Sequence, residues 1–67
     1  MTKKEASIVN SAISLFAEKG YHATSTRLIA ENAEVSEGLI IKHFKNKEGL
    51  LEKIILISQE KLKKLIV

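Results

Sequence analysis

Residues 25–44 read STRLIAENAEVSEGLIIKHF, and this run carries the signals of two short helices joined by a tight turn. The polar run at residues 24–26 offers N-caps for the first helix, and Ser36 offers one for the second, because Ser and Thr hydroxyls accept hydrogen bonds from early helical N–H groups. The side chains predicted to face inward are Ile29, Ala30, Ala33, Ile40 and Phe44. The pattern therefore predicts a pair of helices that share one apolar side.

The spacing within this pair is typical of a helix-turn-helix. Ala30 is small where the second helix would cross, and Val35 places a hydrophobic side chain in the turn. Ile29, Val35 and Ile40 are expected to fill the angle between the two helices. The residues predicted on the outward face of the second helix are Ser36, Glu37, Leu39, Lys42 and His43.

A longer helix is predicted before the pair. Thr2 and Glu5 have the spacing of a capping box, which marks its start. Lys19 followed by Gly20 predicts its end, with the glycine as a left-handed cap. The apolar face of this helix is predicted to consist of Ile8, Val9, Ala12, Ile13, Leu15 and Phe16.

A fourth helix is predicted to start after its N-cap, Asn46, and to run from Lys47 to the end of the chain. Its apolar residues lie on every side of the helix, whereas a three-helix unit covers only one side. We therefore expect the helix to lead into a second domain or a dimer partner outside these 67 residues. The alternative is a complete small protein whose excess apolar surface forms a self-dimer.

Composition excludes several classes of protein. The chain has no cysteine and only two histidines, so neither a metal site nor a cofactor is expected. Its longest aliphatic run, Ile54 to Ile57, is far too short for a bilayer crossing, and we expect a cytoplasmic protein with no membrane partner. An enzyme is not expected, because the serines of the first helix have no histidine or acid at matching turns.

The positive charge is concentrated beside the second helix of the pair. The chain carries a net charge of +3, and residues 40–47 alone contain three lysines and no acid. A basic patch at this place favours a polyanionic partner.

A spaced set of residues from about Ile8 to Leu51 resembles the N-terminal domain of TetR/AcrR-type repressors. The matching positions are Leu15-Phe16, Gly20-Tyr21, Thr24-Ser25, Ile29-Ala30, Ala33, Val35-Ser36, Gly38 and the run His43-Phe44-Lys45-Asn46-Lys47-Glu48. The resemblance implies an all-α fold: a homeodomain-like three-helix bundle with a helix-turn-helix, followed by a fourth helix that leads to a missing C-terminal domain. On this basis residues 1–46 form the DNA-binding domain, with the motif at about 25–44, and residues 47–67 connect it to a ligand-binding and dimerisation region not present in the chain.

The resemblance also implies a function. It predicts a bacterial regulator, usually a repressor, that binds double-stranded DNA as a homodimer and is released by a small-molecule inducer bound to the C-terminal domain. Two-fold symmetry of such a dimer predicts a pseudo-palindromic operator.

Site residues carry over by position. Ser25, Thr26 and Arg27 are predicted to contact phosphates, although Ser25 serves equally as a plain cap. Ser36, Glu37, Leu39, Lys42 and His43 would lie in or beside the major groove, and Lys45 and Lys47 would hold the DNA backbone. For Glu37 we weigh acceptance from cytosine N4 against a favourable charge at a helix N-terminus. For His43 we weigh a phosphate contact against packing beside Phe44.

Three positions depart from the family pattern. Glu34 stands where the family usually has glycine in the turn, and it carries a strain cost if a positive φ is retained. Ile41 replaces a tyrosine that touches a phosphate, and Leu39 replaces a small or hydroxylated residue, which favours a thymine methyl as its partner.

The competing hypothesis is a small basic helical module that binds proteins rather than DNA. A variant of it places the cluster Lys61, Lys63 and Lys64 on a membrane surface, although such a cluster is usually only a solvated helix face.

Overall fold

The computed structural model describes the backbone of residues 1–66 and the side chains of residues 1–60. Its four helices are α1 (Lys3–Lys19), α2 (Thr26–Ala33), α3 (Glu37–Phe44) and α4 (Lys47–Ile66), and this part of the chain contains no strand. The predicted all-α class with a helix-turn-helix is thereby confirmed. The side chains of the cluster formed by Lys61, Lys63 and Lys64 lie outside the described residues.

The start of α1 is the predicted capping box. The N–H of Glu5 donates to the Thr2 hydroxyl, and the N–H of Thr2 donates to Glu5 Oε1, each at 3.1 Å. The hydrogen bond from the Thr2 backbone is the main cause that lowers the pKa of the Glu5 carboxyl below its ordinary value of 4.5. The cap thus stabilises the ionised form of Glu5.

The end of α1 corrects one prediction. Gly20 has a positive φ of 89°, but its ψ of 159° lies outside the left-handed helical region that a Gly cap usually adopts. The chain leaves α1 in an extended direction instead. The buried Thr24 hydroxyl closes the following loop, because it lies 2.8 Å from the Gly20 carbonyl and 3.2 Å from the Leu15 carbonyl.

The core lies between all four helices. Its buried side chains are Ile8, Val9, Ala12, Leu15, Ile29, Ala30, Ile40, Phe44 and Leu50. Phe16, Ala33 and Val35 are half-buried against this core, whereas Ile13 is 45% exposed and does not belong to it. The prediction for Ile13 was wrong because α1 buries a narrower stripe than the six apolar residues span.

The helix-turn-helix is capped at both of its helices. Of the three candidates before α2, Ser25 is the N-cap, and its hydroxyl accepts from the N–H of Leu28 at 3.0 Å. Ser36 caps α3 in the same way, accepting from Leu39 at 3.2 Å. In the turn, Glu34 adopts the left-handed conformation with φ 59° and ψ 43°, so the geometry that the family gives to glycine is retained.

A three-residue turn joins α3 to α4. Lys45 has φ 74° and ψ −55°, and the N–H of Asn46 donates to the Phe44 carbonyl at 3.0 Å, which is the strained geometry of a γ-turn. Asn46 then caps α4 as predicted, because its Oδ1 accepts from the N–H of Gly49 at 2.7 Å. Only Lys45 and Asn46 therefore separate α3 from α4, and both helix ends are hydrogen-bonded at this joint.

Helix α4 packs on the bundle by one side. Leu50 is fully buried and Ile54 and Ile57 are half-buried, whereas Ile55 and Leu56 are about half exposed, at 47% and 55%. The expectation that the bundle covers only one side of this apolar helix is met over the described side chains. The core that holds α3 therefore continues past residue 46 into the first turns of α4.

Candidate nucleic-acid interface

The N-termini of α2 and α3 lie on the same surface of the helix-turn-helix. Their side chains are joined directly, because the Thr26 hydroxyl donates to Glu37 Oε2 at 2.8 Å. The single hydroxyl proton of Thr26 is used in this bond. The predicted phosphate contact of Thr26 is therefore left to its backbone N–H, which has no helical partner at this first position of α2.

The other predicted residues of the α2 N-terminus are accessible. Ser25 is exposed, with its hydroxyl oxygen engaged as the N-cap. The Arg27 side chain is 80% exposed, and its Nε lies 3.5 Å from Glu31 Oε1, a loose pair one helical turn away. Because an exposed pair of this kind is weak, Arg27 can exchange Glu31 for a phosphate at little cost.

On α3, the predicted reading side chains differ in exposure. Lys42 and His43 are exposed at the C-terminal half of the helix, and Ser36 and Glu37 are exposed at its start. Leu39 lies between them but is half-buried against the core, so only part of its side chain faces outward. A Leu39 contact with a thymine methyl would thus use the outer edge of the side chain.

His43 lies at the end of α3, beside the aromatic ring of its neighbour. The His43 and Phe44 ring centroids are 6.3 Å apart with a tilt of 56°, while the imidazole itself remains exposed. Packing beside Phe44 and access to a phosphate are therefore compatible in this geometry.

The basic residues of the α3–α4 joint have different environments. Lys45 is exposed on the γ-turn. The Lys47 ammonium instead donates to the Tyr21 carbonyl at 2.8 Å and lies 4.2 Å from the centre of the Tyr21 ring. Lys47 therefore ties the start of α4 to the loop after α1, in addition to the role predicted for it at the DNA backbone.

Tyr21, which the sequence predicts to pack under the motif, also makes a contact with Lys47 that the sequence did not reveal. Its ring is half-buried against Phe16, with centroids 5.2 Å apart, and it forms the platform under the Lys47 ammonium. Desolvation, followed by the neighbouring Glu48 carboxylate, raises the pKa of the Tyr21 phenol. The phenol is therefore neutral at physiological pH, and the platform stays uncharged.

These elements converge on a shallow cleft between the start of α2 and the α3–α4 joint. The residues that line it are Ser25, Thr26, Ile41, Lys45, Asn46 and Lys47. The exposed Lys45 side chain and the free N–H groups of a helix start are donors that suit a phosphate oxygen, while the Lys47 ammonium already donates to the Tyr21 carbonyl. Ile41, which is 52% exposed, forms an apolar wall where the family pattern has a tyrosine.

Metal-ligand clusters and membrane-spanning helices are both absent from the described residues. Nowhere among them do three metal-ligating side chains come together. Likewise, no helix in this part of the chain is long and apolar enough to cross a bilayer.

Comparison with known proteins gives a consistent set of similarities. The profile of the family described as "Bacterial regulatory proteins, tetR family" matches residues 8–54. The chain is 50% identical over 48 residues to the uncharacterized HTH-type transcriptional regulator YvkB of Bacillus subtilis, covering 72% of this chain and 25% of that protein. It is 39% identical over 54 residues to the HTH-type transcriptional regulator UidR of Escherichia coli, covering 81% of this chain and 28% of that protein.

A third relative is the fatty acid metabolism regulator protein of Bacillus subtilis, which is 42% identical over 48 residues, 72% of this chain and 25% of its own length. The aligned segment spans about a quarter of the length of these three relatives.

Proposed function

Because this chain belongs to the tetR family of bacterial regulatory proteins, we propose that it is the DNA-binding part of a sequence-specific transcriptional regulator. In this proposal residues 1–46 carry the DNA-binding unit, with the reading motif at about 25–44. Its partner is double-stranded DNA, and its place is the bacterial cytoplasm, where that DNA is found. The relatives named as HTH-type transcriptional regulators support this choice.

The observation that carries the proposal is the cleft lined by Ser25, Thr26, Lys45 and Lys47 beside the exposed face of α3. A phosphate held in the cleft fixes the distance between the DNA backbone and α3, so that the exposed start of α3 reaches base edges in the major groove. Backbone contacts thus supply affinity, and α3 supplies the choice of sequence.

We further propose that the protein acts as a homodimer on a pseudo-palindromic operator. One copy offers only a few phosphate contacts, which is too few for tight binding at physiological salt. The exposed Ile55 and Leu56 of α4 support a continuation in which this helix, from residue 47 onward, connects the DNA-binding unit to a dimerisation region.

From the resemblance to the family we also propose that the regulator represses transcription rather than activating it. A small-molecule inducer, bound by a region outside these 67 residues, lowers the affinity of the repressor for its operator. The greater length of the relatives supports a separate region for the inducer, because the matched segment covers only about a quarter of them.

The proposal is tested by selecting bound sequences from a random pool of duplex DNA with the 67-residue chain at low salt. We expect enrichment of a short half-site, and retardation of that DNA which weakens steeply as salt is raised. Anionic lipid vesicles should compete poorly, whereas unlabelled half-site DNA should compete strongly. Enrichment of no sequence, together with binding to vesicles or to acidic proteins, would favour the protein-interaction module instead.

A further inference from the structure

The hydrogen bond between Thr26 and Glu37 links the two helices of the motif at its DNA-facing surface. The Thr26 hydroxyl donates to Glu37 Oε2 at 2.8 Å, across eleven residues of sequence. Glu37 itself is exposed, and none of the described side chains forms an ion pair with it. A carboxylate is therefore presented, fixed and without a cation, in the middle of a surface that has to approach a polyanion.

A bare carboxylate at this place repels DNA unless the DNA offers it a hydrogen-bond donor. In the major groove, guanine presents two acceptors, thymine an acceptor and a methyl group, and adenine an acceptor next to its amino group. Cytosine alone presents an amino donor without an accompanying acceptor. The electrostatic penalty of Glu37 is thus relieved most by cytosine, less by adenine, whose amino donor lies beside an acceptor, and not by guanine or thymine.

We propose that Glu37 is a specificity-determining residue that selects cytosine at one position of the half-site, and that Thr26 is the positioning residue that holds its carboxylate in place. This inference rests on the proposed DNA-binding function. Glu37 Oε1 accepts a hydrogen bond from cytosine N4, while Oε2 remains bonded to Thr26.

The direction of the Thr26 bond suits this role. Because the hydroxyl donates and a carboxylate oxygen accepts, the bond is charge-assisted and engages only Oε2 of Glu37. Because Thr26 lies at the start of α2 and Glu37 at the start of α3, the carboxylate is held relative to both helices. The side chain therefore loses less freedom when it meets the base.

The experiment compares the half-sites that variants of the 67-residue chain select from a random duplex pool at low salt. The wild type is expected to prefer cytosine at one position by roughly 5- to 150-fold over other bases. E37Q is expected to move the preference at that same position to adenine, because an amide pairs with both N6 and N7. E37A should lose the preference there and keep the rest of the half-site.

The matched control is E34Q, which removes the same charge from an exposed residue in the turn between α2 and α3. It should select the wild-type half-site. The helical circular dichroism signal of each variant, compared with the wild type, separates a change of preference from a loss of fold. If E37Q selects the same base as the wild type, the assignment of Glu37 is wrong, while the retardation of DNA still supports the proposed function.

Thr26 is tested by a conservative pair. T26S keeps the hydroxyl and should keep the cytosine preference, whereas T26V is similar in size but lacks the hydroxyl and should weaken that preference. Equal preferences for T26V and the wild type would overturn the positioning role. Failure of the wild-type chain to retard any duplex at low salt would instead overturn the proposed function itself.

Discussion

Within residues 1–66, two residues other than glycine hold a positive φ, and each lies at a turn of the DNA-binding unit: Glu34 between α2 and α3, and Lys45 between α3 and α4. The cost at Glu34 was foreseen from the family pattern, because glycine is usual there. The backbone strain at Lys45 was not predicted, since nothing in the run Lys45-Asn46-Lys47 indicates a γ-turn. Its conformation is set by the closure of two helices that are each anchored in the core.

At Glu34, replacement by glycine is expected to stabilise the protein. Relief of the left-handed strain exceeds the added freedom of the unfolded chain, so Glu34→Gly should raise the free energy of unfolding by about 1 kcal/mol, or the Tm by roughly 4–8 °C. Thermal melting followed by circular dichroism measures the change. Glu34→Ala removes the carboxylate but keeps the Cβ, and an equal gain from this variant would show that charge, not φ, is responsible.

At Gly49, any side chain is expected to destabilise the protein. A Cβ there would overlap the carbonyl of Phe44, which the γ-turn brings against the first turn of α4. Gly49→Ala should therefore cost about 1–3 kcal/mol in a urea titration. Gly38→Ala is the matched change on α3, where the nearest atom is the Ser36 hydroxyl at 4.0 Å, and it should instead stabilise by up to about 1 kcal/mol. Equal effects at both sites would contradict the close approach at Gly49.

Among the elements, helix starts were predicted best. The caps Thr2, Ser36 and Asn46 were predicted individually and Ser25 as one of three candidates, because each cap forms its hydrogen bond within three residues of sequence. The burial of Ile13 was predicted wrongly, because periodicity identifies an apolar stripe on a helix but not how much of that stripe the neighbouring helices cover.

The contacts that shape the candidate site could not be predicted in this way. The bond from Lys47 to Tyr21 spans 26 residues, and the bond from Thr26 to Glu37 spans 11. Both depend on the angles at which helices pack, and no local pattern of residues encodes those angles.

The capping box of α1 gives this helix a defined pH dependence. The pKa of Glu5 is lowered by folding, so its contribution is complete above the ordinary value of 4.5 and is lost as the pH falls through the lower folded value. Glu5→Gln keeps the hydrogen-bonding shape but does not titrate. The Tm advantage of the wild type over this variant should therefore shrink in the acid range.

The measurement is the difference in Tm between the two proteins from about pH 3 to 7. A Thr2→Ala background removes the Thr2 hydroxyl, the second cause of the lowered pKa, but keeps the backbone N–H that is the first, so only part of the pH dependence of this difference should be lost. If the Tm advantage of the wild type over Glu5→Gln stays constant across this pH range, the capping box does not lower the pKa of Glu5.

For the whole molecule, we expect the affinity for operator DNA to fall as the salt concentration rises. If each copy neutralises three or four phosphates, a dimer should lose operator affinity with a log–log slope of about −5 to −7. Lys45→Ala should make this slope shallower by about 1 per copy without lowering the Tm, because Lys45 is exposed. Lys45→Arg retains the charge and should retain the slope. An unchanged slope for Lys45→Ala would remove Lys45 from the backbone contacts.

An alanine substitution at Lys47 is expected to have a different effect from one at Lys45. Lys47→Ala should lower both the salt slope and the Tm, because the side chain also holds the Tyr21 loop by a hydrogen bond and a ring contact. The stability loss should be about 1 kcal/mol. A loss of DNA affinity in this variant alone is thus weaker evidence for a phosphate contact than the same loss at Lys45.

The γ-turn at Lys45 fixes more than one residue's conformation: it leaves the joint with no spare length. One amino acid inserted between Phe44 and Lys47 would disturb the γ-turn or the Asn46 cap, because these two features already use both residues of the joint. A shift of α4 that followed would draw the buried Leu50 away from the core. An insertion at this joint should therefore cost stability, whereas substitutions at exposed positions of α3 such as Lys42 and His43 leave the spacing of the two helices unchanged.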